Sequence, residues 1–272
     1  MSEFIGTKLT MNLGERSYDI IVKSGSLENL YQFARLDRRV AVVTDSGVPA
    51  QYAQMVADQC KDAHIITVPQ GEASKSFKIL ESVLKQMLEF GMGRGDLVIA
   101  VGGGVVGDLA GFAASIYMRG IDFINCPTTT LSMIDSSIGG KTAVDLGDTK
   151  NIVGAFWQPK LVIVDPDTLA TLPRRHFING LAEAVKASLL ADPELFAIFE
   201  NGDVDAQIGE IICRSLRFKK NIVEQDETEQ GMRKALNFGH TIGHGIEAVK
   251  GIKAAAPWAF TTASAWRWAC CP

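Results

Sequence analysis

The sequence predicts an α/β fold followed by a mainly helical domain, and two observations lead to this prediction. Up to about residue 172, short apolar runs such as Arg39–Asp45 and Asp96–Val101 alternate with segments of helical periodicity such as Ser76–Phe90. Such alternation is typical of a parallel sheet covered by helices on both faces. After Pro173 the strand signals stop. We therefore expect an α/β domain over 1–172, the first part of a helical domain over 173–253 and a tail of different character over 254–272.

The remaining elements follow from the same two periodicities. We expect β-strands at His64–Val68, Ile121–Cys126 and Leu161–Val164. We expect helices at Pro49–Cys60, Phe177–Ala191, Asp205–Gln225 and Thr241–Val249. A cleft between the two halves is the default place for a ligand.

The composition excludes several classes of protein. The chain has 272 residues, of which 47% are hydrophobic and 21% are charged, and its net charge is −4. An acidic balance argues against a general nucleic-acid or membrane-surface binder. Glycines interrupt the most apolar run, Leu97–Met118, which argues against a membrane span. The cysteines form no C-x-x-C pair and no signal peptide opens the chain, so we expect a cytoplasmic protein.

A glycine-rich turn follows the predicted strand Asp96–Val101 and precedes a helix. Gly102, Gly104 and Gly107 match G-x-G-x-x-G in the strand–turn–helix setting of a Rossmann-like domain. Glycine lets the backbone approach a phosphate, and the N–H groups at the start of the helix face the anion. A tight turn without a ligand is the alternative, but the preceding strand favours nucleotide binding.

The acid that holds the ribose of a dinucleotide is expected at the end of a strand. Asp122 lies at the usual distance after the glycine turn, but it starts its strand. Asp45 ends an earlier strand and is the better candidate. The glycine turn then lies on a later strand than usual, which indicates a related but distinct nucleotide-binding domain.

Basic and hydroxyl side chains lie near several predicted strand ends. Arg119, Lys141 and Lys150 are each most simply solvated charges, and Pro127–Thr130 alone is most simply a turn. Together, in a net acidic chain, they predict a pocket for an anion. The segment Asp135–Thr142 is similar to the end of a P-loop, but Asp135 replaces the first glycine, which excludes an ATPase.

Two histidines, His240 and His244, are spaced i, i+4, so a helix places them on one side. Such pairs suit zinc, which takes three protein ligands and an open position in catalytic sites. Glu183, which is flanked by apolar residues and followed by Lys186 on the same helix face, is a candidate carboxylate partner. Two polar histidines at a capped helix start are the alternative.

Taken together, these motifs resemble the 3-dehydroquinate synthase family from the N-terminus to about Lys250. Each motif alone is weak, but all of them occur in family order. The resemblance is carried by Gly71–Lys75, Gly102–Asp108, Pro127–Thr129, Gly139–Thr142, Lys150–Asn151, Glu183–Lys186 and Leu236–His244.

The resemblance implies a set of residues for each ligand, and it also implies a homodimer. NAD is expected to contact Asp45, Glu72, Lys75, Gly103, Gly104, Val105, Asp108, Thr128, Thr129, Lys141, Lys150, Thr171 and Leu172. Zinc or cobalt is expected on Glu183, His240 and a third histidine further along the chain. A small sugar phosphate is expected to contact Arg119, Asp135, Lys141, Asn151, Lys186, Lys219, Arg233, Asn237 and His244.

The implied reaction converts 3-deoxy-D-arabino-heptulosonate 7-phosphate to 3-dehydroquinate and phosphate in the shikimate pathway. The metal lowers the pKa of a substrate hydroxyl, NAD takes up a hydride and later returns it, and His244 is the candidate proton acceptor. Phosphate elimination and an intramolecular aldol step complete the sequence. Three alternatives stay open: another sugar-phosphate cyclase, a metal-dependent polyol dehydrogenase, or a non-catalytic fragment that binds nucleotide.

The tail departs from the family pattern, in which a His-Gly-Glu segment supplies the third metal ligand. No histidine follows His244, and residues 254–272 contain one charged residue, Arg267. The segment Thr262–Pro272 can be encoded by a shifted reading frame of a family-like sequence. One possible coding strand gives His-Gly-Glu-Cys-Val-Ala-Leu-Gly-Met-Leu-Pro in frame and Thr262–Pro272 when it is read one base later. We therefore expect a frameshift near Lys253.

Loss of the third ligand predicts that the 272-residue chain releases little or no phosphate from the substrate, whereas the restored reading frame is active. Sequencing of the gene and a phosphate-release assay with NAD and zinc on both chains test this expectation. An unshifted frame that encodes no His-Gly-Glu, or equal phosphate release by the two chains, would contradict it.

Overall fold

The computed structural model describes residues 6–238, and strands and helices alternate through its first part. Its strands are β1 (Thr7–Met11), β2 (Tyr18–Val22), β3 (Arg39–Asp45), β4 (Asp62–Val68), β5 (Leu97–Gly102), β6 (Asp122–Pro127), β7 (Lys141–Leu146), β8 (Thr149–Phe156) and β9 (Leu161–Val164). Its α-helices are α1 (Ala50–Ala57), α2 (Phe77–Glu89), α3 (Gly104–Ile116), α4 (Arg174–Ala191), α5 (Pro193–Asn201) and α6 (Ile208–Gln225). In the part of the chain thus described, no helix has both the length and the apolar character that a bilayer crossing requires.

Short helical turns complete the connections between these elements. A π-helical turn forms at Ser132–Ser136. Turns of 3-10 helix form at Gly14–Arg16, Leu30–Gln32, Glu72–Ser74, Tyr117–Arg119, Pro166–Thr171 and Met232–Asn237.

Seven of the strands form one mixed sheet in the order β1-β2-β9-β6-β5-β3-β4. β1 and β2 are antiparallel, and each of the other neighbouring pairs is parallel. The carboxyl ends of β3, β5, β6 and β9 therefore lie at one edge of the sheet. Ligands of open α/β sheets bind outside this edge.

The central strands are buried on both faces because successive side chains point to opposite sides. Ala41 and Val43 of β3 pack into a core with α2 and α3, whereas Val40 and Val42 pack into a second core on the face of α1. This pattern explains why β3 and β5 appear in the sequence as nearly continuous apolar runs rather than as alternating ones.

The helices of the second half pack against the other end of the sheet. Met11 and Ile20, on β1 and β2, share a core with Leu181 of α4 and Leu216 of α6. Gly180 of α4 lies so close to the chain after β6 that a Cβ at this position would be 2.3 Å from the backbone nitrogen of Leu131. This close approach brings α4 to the carboxyl edge of the sheet.

The predicted α/β architecture with a helical second part is confirmed, and each predicted strand is present within one or two residues of its expected bounds. The prediction of a parallel sheet is wrong in one respect, because β1 pairs antiparallel with β2, and neither of these two strands was predicted. The antiparallel β7–β8 pair was not predicted either. Eight of its fourteen residues are exposed, so it lacks the continuous apolar run that marks a buried strand. The helix expected at Thr241–Val249 and the tail lie outside the described residues, and the division into domains stays a prediction.

Candidate active site

A cleft of about 280 Å³ opens at the carboxyl edge of the sheet. It is bounded by the ends of β3, β5 and β6, by the start of α3 and by the segment that leads into α4. Eight of the residues expected to contact NAD line this cleft, namely Asp45, Gly103, Gly104, Val105, Thr128, Thr129, Thr171 and Leu172. Tyr52, Gln70, His176 and Asn179 also line it and were not predicted from the sequence.

The side chains of Ser136 and Thr129 lie close against the glycine turn. A Cβ on Gly104 would lie 3.0 Å from Oγ of Ser136, and one on Gly103 would lie 3.1 Å from Cγ2 of Thr129. No side chain caps the start of α3, and Gly103, Gly104 and Val105 at this start line the cleft. An uncapped helix start beside a glycine turn fits the pyrophosphate of a dinucleotide.

The two candidate ribose acids lie at opposite edges of the sheet. Asp45 ends β3 in the cleft, where its Oδ1 accepts the N–H of Gly47 at 2.7 Å and that of Val48 at 3.2 Å. Burial raises the pKa of Asp45, although these two N–H groups act to lower it. Asp122 begins β6 and pairs with Arg38 at 2.9 Å. The geometry therefore favours Asp45, as the position of the two acids along their strands predicted.

Lys75 connects the nucleotide cleft to the β7–β8 hairpin. Its side chain is only 4% exposed, and its Nζ donates to Asp108 at 2.6 Å and to the side-chain oxygen of Asn151. Burial acts to lower the pKa of Lys75, but the negative charge of Asp108 raises it on balance. Burial raises the pKa of Asp108, and Lys75 opposes that shift. Glu72 adds a further negative charge beside this pair.

A cluster of buried charges lies next to the cleft, between α4, α6 and the π-helical turn. Lys219 donates to Oδ1 and to the backbone oxygen of Asp135, both at 2.8 Å. Lys186 pairs with Glu183 and donates to the backbone oxygen of Leu236 at 2.6 Å. Burial raises the pKa of Glu183 and lowers that of Lys219, so each charge depends on its partners.

A second group of polar side chains converges on Glu229, which was not predicted from the sequence. Lys141 pairs with this carboxylate, and Asn237 donates to it at 2.8 Å. Burial acts to raise the pKa of Glu229, but Lys141 and Asn237 hold it below its usual value. In sequence Glu229 belongs to an acidic run typical of a solvated turn, and its φ of 60° becomes visible only in the folded chain.

Arg233 lies beneath this group and is 1% exposed. Its Nη2 donates to the backbone oxygen of Gly139 at 2.9 Å, and its Nη1 donates to the backbone oxygen of Glu227. The guanidinium therefore supports the turn that precedes Lys141. Direct contact of Arg233 with a substrate stays a prediction.

Several other predicted site residues lie away from the cleft or outside the described residues. Arg119 follows the far end of α3, and a helix of this length spans about 20 Å from the glycine turn. The structure therefore does not bring Arg119 to the cleft. Lys150 is exposed on the hairpin. His240 and His244 lie outside the described residues. Within residues 6–238, no three His, Cys, Asp or Glu side chains are grouped as a metal site would require.

Comparison with known proteins gives one consistent family. Residues 65–179 match the model of the 3-dehydroquinate synthase N-terminal domain, and residues 180–258 match that of the C-terminal domain. The chain is 44% identical over 259 residues to the 3-dehydroquinate synthase of Thermodesulfovibrio yellowstonii, covering 90% of the chain and 72% of the relative. It is 46% identical over 259 residues to that of Caulobacter vibrioides, covering 89% of the chain and 69% of the relative.

Solved structures of other cyclases have the same fold. A 2-deoxy-scyllo-inosose synthase complexed with carbaglucose-6-phosphate, NAD+ and Co2+ is 27% identical, with a TM-score of 0.87 over 97% of this chain and 74% of that one. The 2-epi-5-epi-valiolone synthase of Streptomyces hygroscopicus, with NAD+ and Zn2+ bound, is 31% identical, with a TM-score of 0.81 over 94% of this chain and 73% of that one. The glycerol dehydrogenase of Schizosaccharomyces pombe is 18% identical with a TM-score of 0.56 over 85% of this chain and 64% of that one, a likeness of fold alone.

Replacement of Lys75 by methionine leaves the partly buried Asp108 carboxylate without its cation. Breaking a fully buried pair in this way costs about 3–5 kcal/mol, so we expect a smaller loss of stability here. Without Lys75, the pKa of Asp108 in the folded chain lies further above its pKa in the unfolded chain. The free energy of unfolding therefore falls as the pH rises from the unfolded pKa of Asp108 to its folded pKa. We expect the loss in Lys75→Met to be larger at pH 8 than at pH 5 in urea unfolding. Lys78→Met, which removes an exposed lysine of α2, is the control, and an equal loss at both pH values would argue against the pairing.

Proposed function

The chain belongs to the 3-dehydroquinate synthase family, and we propose that the cleft and the two charged groups beside it form one active site. The family converts 3-deoxy-D-arabino-heptulosonate 7-phosphate to 3-dehydroquinate and phosphate, a step of the shikimate pathway. Its cofactors are NAD and a zinc or cobalt ion.

One observation carries the proposal of a single site. Ser136, which follows Asp135 in the π-helical turn, lies against the glycine turn, since a Cβ on Gly104 would be 3.0 Å from its Oγ. Asp135 in turn pairs with Lys219, so the nucleotide edge and the buried charge cluster are neighbours. The positive charge of Lys219 also acts on Asp108 of α3. Lys75 joins the same α3 carboxylate to Asn151 of the hairpin. A dinucleotide and a phosphorylated sugar bound at these two places would therefore meet.

Bound NAD would supply a hydride acceptor that is regenerated within each turnover. The residues that line the cleft would bind this NAD. The N–H groups at the start of α3 would hold the pyrophosphate beside Gly103 and Gly104, and Asp45 would accept hydrogen bonds from the ribose. Thr128 and Thr129, at the end of β6, can donate hydroxyl hydrogen bonds from the opposite wall.

The substrate is a carboxylate and a phosphate ester, so its recognition needs cations that water does not neutralise. Lys219, 8% exposed, supplies such a charge from α6. Lys141, whose side chain is 49% exposed, adds a more solvated positive charge at the start of β7, and Asn151 adds an amide donor from β8. Charges in a partly buried setting attract an anion more strongly than solvated ones do.

A divalent zinc or cobalt ion, when bound, would supply Lewis-acid polarisation of a substrate oxygen. Glu183 is a suitable oxygen ligand for such an ion. Burial disfavours its negative charge, and a bound cation would compensate for that desolvation cost. We assign it as the donor from the described part of the chain. His240, the second predicted donor, lies outside the described residues.

The direct test is phosphate release from 3-deoxy-D-arabino-heptulosonate 7-phosphate with NAD and zinc, run on the 272-residue chain and on the restored reading frame. We expect Lys219→Met to lower the rate of the active form at least about tenfold, because one lost charge-assisted contact corresponds to 1.5–3 kcal/mol. Lys220→Met is the matched control, since Lys220 is the next residue of α6 and pairs with Glu224 instead.

The fate of NAD separates this reaction from that of a dehydrogenase. A cyclase regenerates NAD in each turnover, so phosphate should accumulate without NADH. One NADH formed per substrate, without phosphate, would contradict the proposed function. Equal rates for Lys219→Met and Lys220→Met would be compatible with the proposed reaction but would show that Lys219 is not part of the substrate site.

A further inference from the structure

The β7–β8 hairpin contains an irregularity next to the proposed substrate site. Regular pairing of the two strands stops after Val144 and resumes at Leu146, which pairs with Thr149. Residues 150–152 therefore stand opposite the single residue Asp145. Bulges of this kind redirect side chains and occur frequently beside active sites. Here the bulged residues include two of those expected to contact the ligands.

Asp145 holds the centre of this bulge. Asn151 has a left-handed backbone with φ of 55°, which costs energy for residues other than glycine but is tolerated best by asparagine and aspartate. The backbone N–H of Asn151 donates to Oδ1 of Asp145 at 2.7 Å. The Asp145 carboxylate thus supplies the acceptor that the interrupted strand pairing does not.

The same aspartate ties the bulge to the nucleotide edge. The backbone N–H of Asp145 donates to the backbone oxygen of Lys75 at 2.8 Å. The Nζ of Lys75 in turn donates to the side-chain oxygen of Asn151. Asn151 is therefore fixed at its backbone by Asp145 and at its side chain by Lys75, which leaves its Nδ2 group as the donor for a ligand.

We propose that Asp145 is a positioning residue of the substrate site, which holds the bulged residues 150–152 so that the Asn151 amide faces the phosphorylated sugar. This inference rests on the proposed function, because Asn151 needs a fixed orientation only if the site binds that substrate. Asp145 itself acts through Asn151 and does not contact the ligand.

The sign of the effect separates positioning from simple electrostatics. Removal of a negative charge near an anion site should tighten anion binding. Loss of a positioning contact should weaken it, because Asn151 would no longer be ordered before the ligand binds. Asp145→Ala therefore gives opposite results under the two explanations.

The experiment measures, by calorimetry, the affinity of the full chain for 3-deoxy-D-arabino-heptulosonate 7-phosphate and, separately, for NAD. We expect Asp145→Ala to weaken sugar-phosphate binding about tenfold, the equivalent of one hydrogen bond to a charged group, and to leave NAD binding within about twofold. Asp145→Asn keeps an oxygen that can accept the Asn151 N–H, so it should restore most of the affinity. Asp148→Ala, which removes the same charge from the turn of the same hairpin, is the control.

Amide hydrogen exchange supplies a second readout that needs no ligand. Exchange in the segment 147–156 should rise in Asp145→Ala and return to the parent level in Asp145→Asn. Unchanged exchange, or sugar-phosphate affinity in Asp145→Ala equal to or tighter than in the parent chain, would overturn the inference. So would equal weakening of NAD and sugar-phosphate binding, since Asp145 would then be structural only. If the parent chain binds NAD but no sugar phosphate, the proposed function itself fails, and this inference fails with it.

Discussion

The parallel pairing of β5 with β3 on one side and β6 on the other is the constraint on which the rest of the structure depends. It brings three strand ends to one edge, so Asp45, the glycine turn and the threonines after β6 line one cleft. Burial of these strands on both faces fixes their register, because a slip by one residue would exchange the two faces of the sheet. The site thus inherits its geometry from the core.

Charged groups beside this edge are stable only because each has a partner. A lone buried charge would be neutralised or hydrated, whereas a paired one keeps its charge at a cost in solvation. Lys75 with Asp108, Lys219 with Asp135 and Lys186 with Glu183 follow this rule. Their arrangement gives a site in which the electrostatic field is set before any ligand arrives, and such preorganisation strengthens binding and catalysis.

Features that depend only on neighbouring residues along the chain could be predicted from the sequence. The preference for Asp45 over Asp122 needed only the position of each acid within its strand, and the glycine turn needed only its neighbours. Glu229 could not be predicted, because its acidic neighbours look solvated and its role depends on Lys141, which is distant in sequence. The bulge opposite Asp145 depends on a hairpin register that exposed strands do not reveal. Arg119 was expected at the site because of its positive charge. It lies away from the cleft because it follows the far end of α3.

A crystal structure with NAD and inorganic phosphate bound tests the single-site description most directly. The pyrophosphate should lie against the N–H groups at Gly103 and Gly104, with the ribose on Asp45 and the phosphate ion within reach of Lys141 and Lys219. NAD bound away from the glycine turn, or a phosphate ion held at a distant surface while these lysines keep only their protein partners, would contradict it.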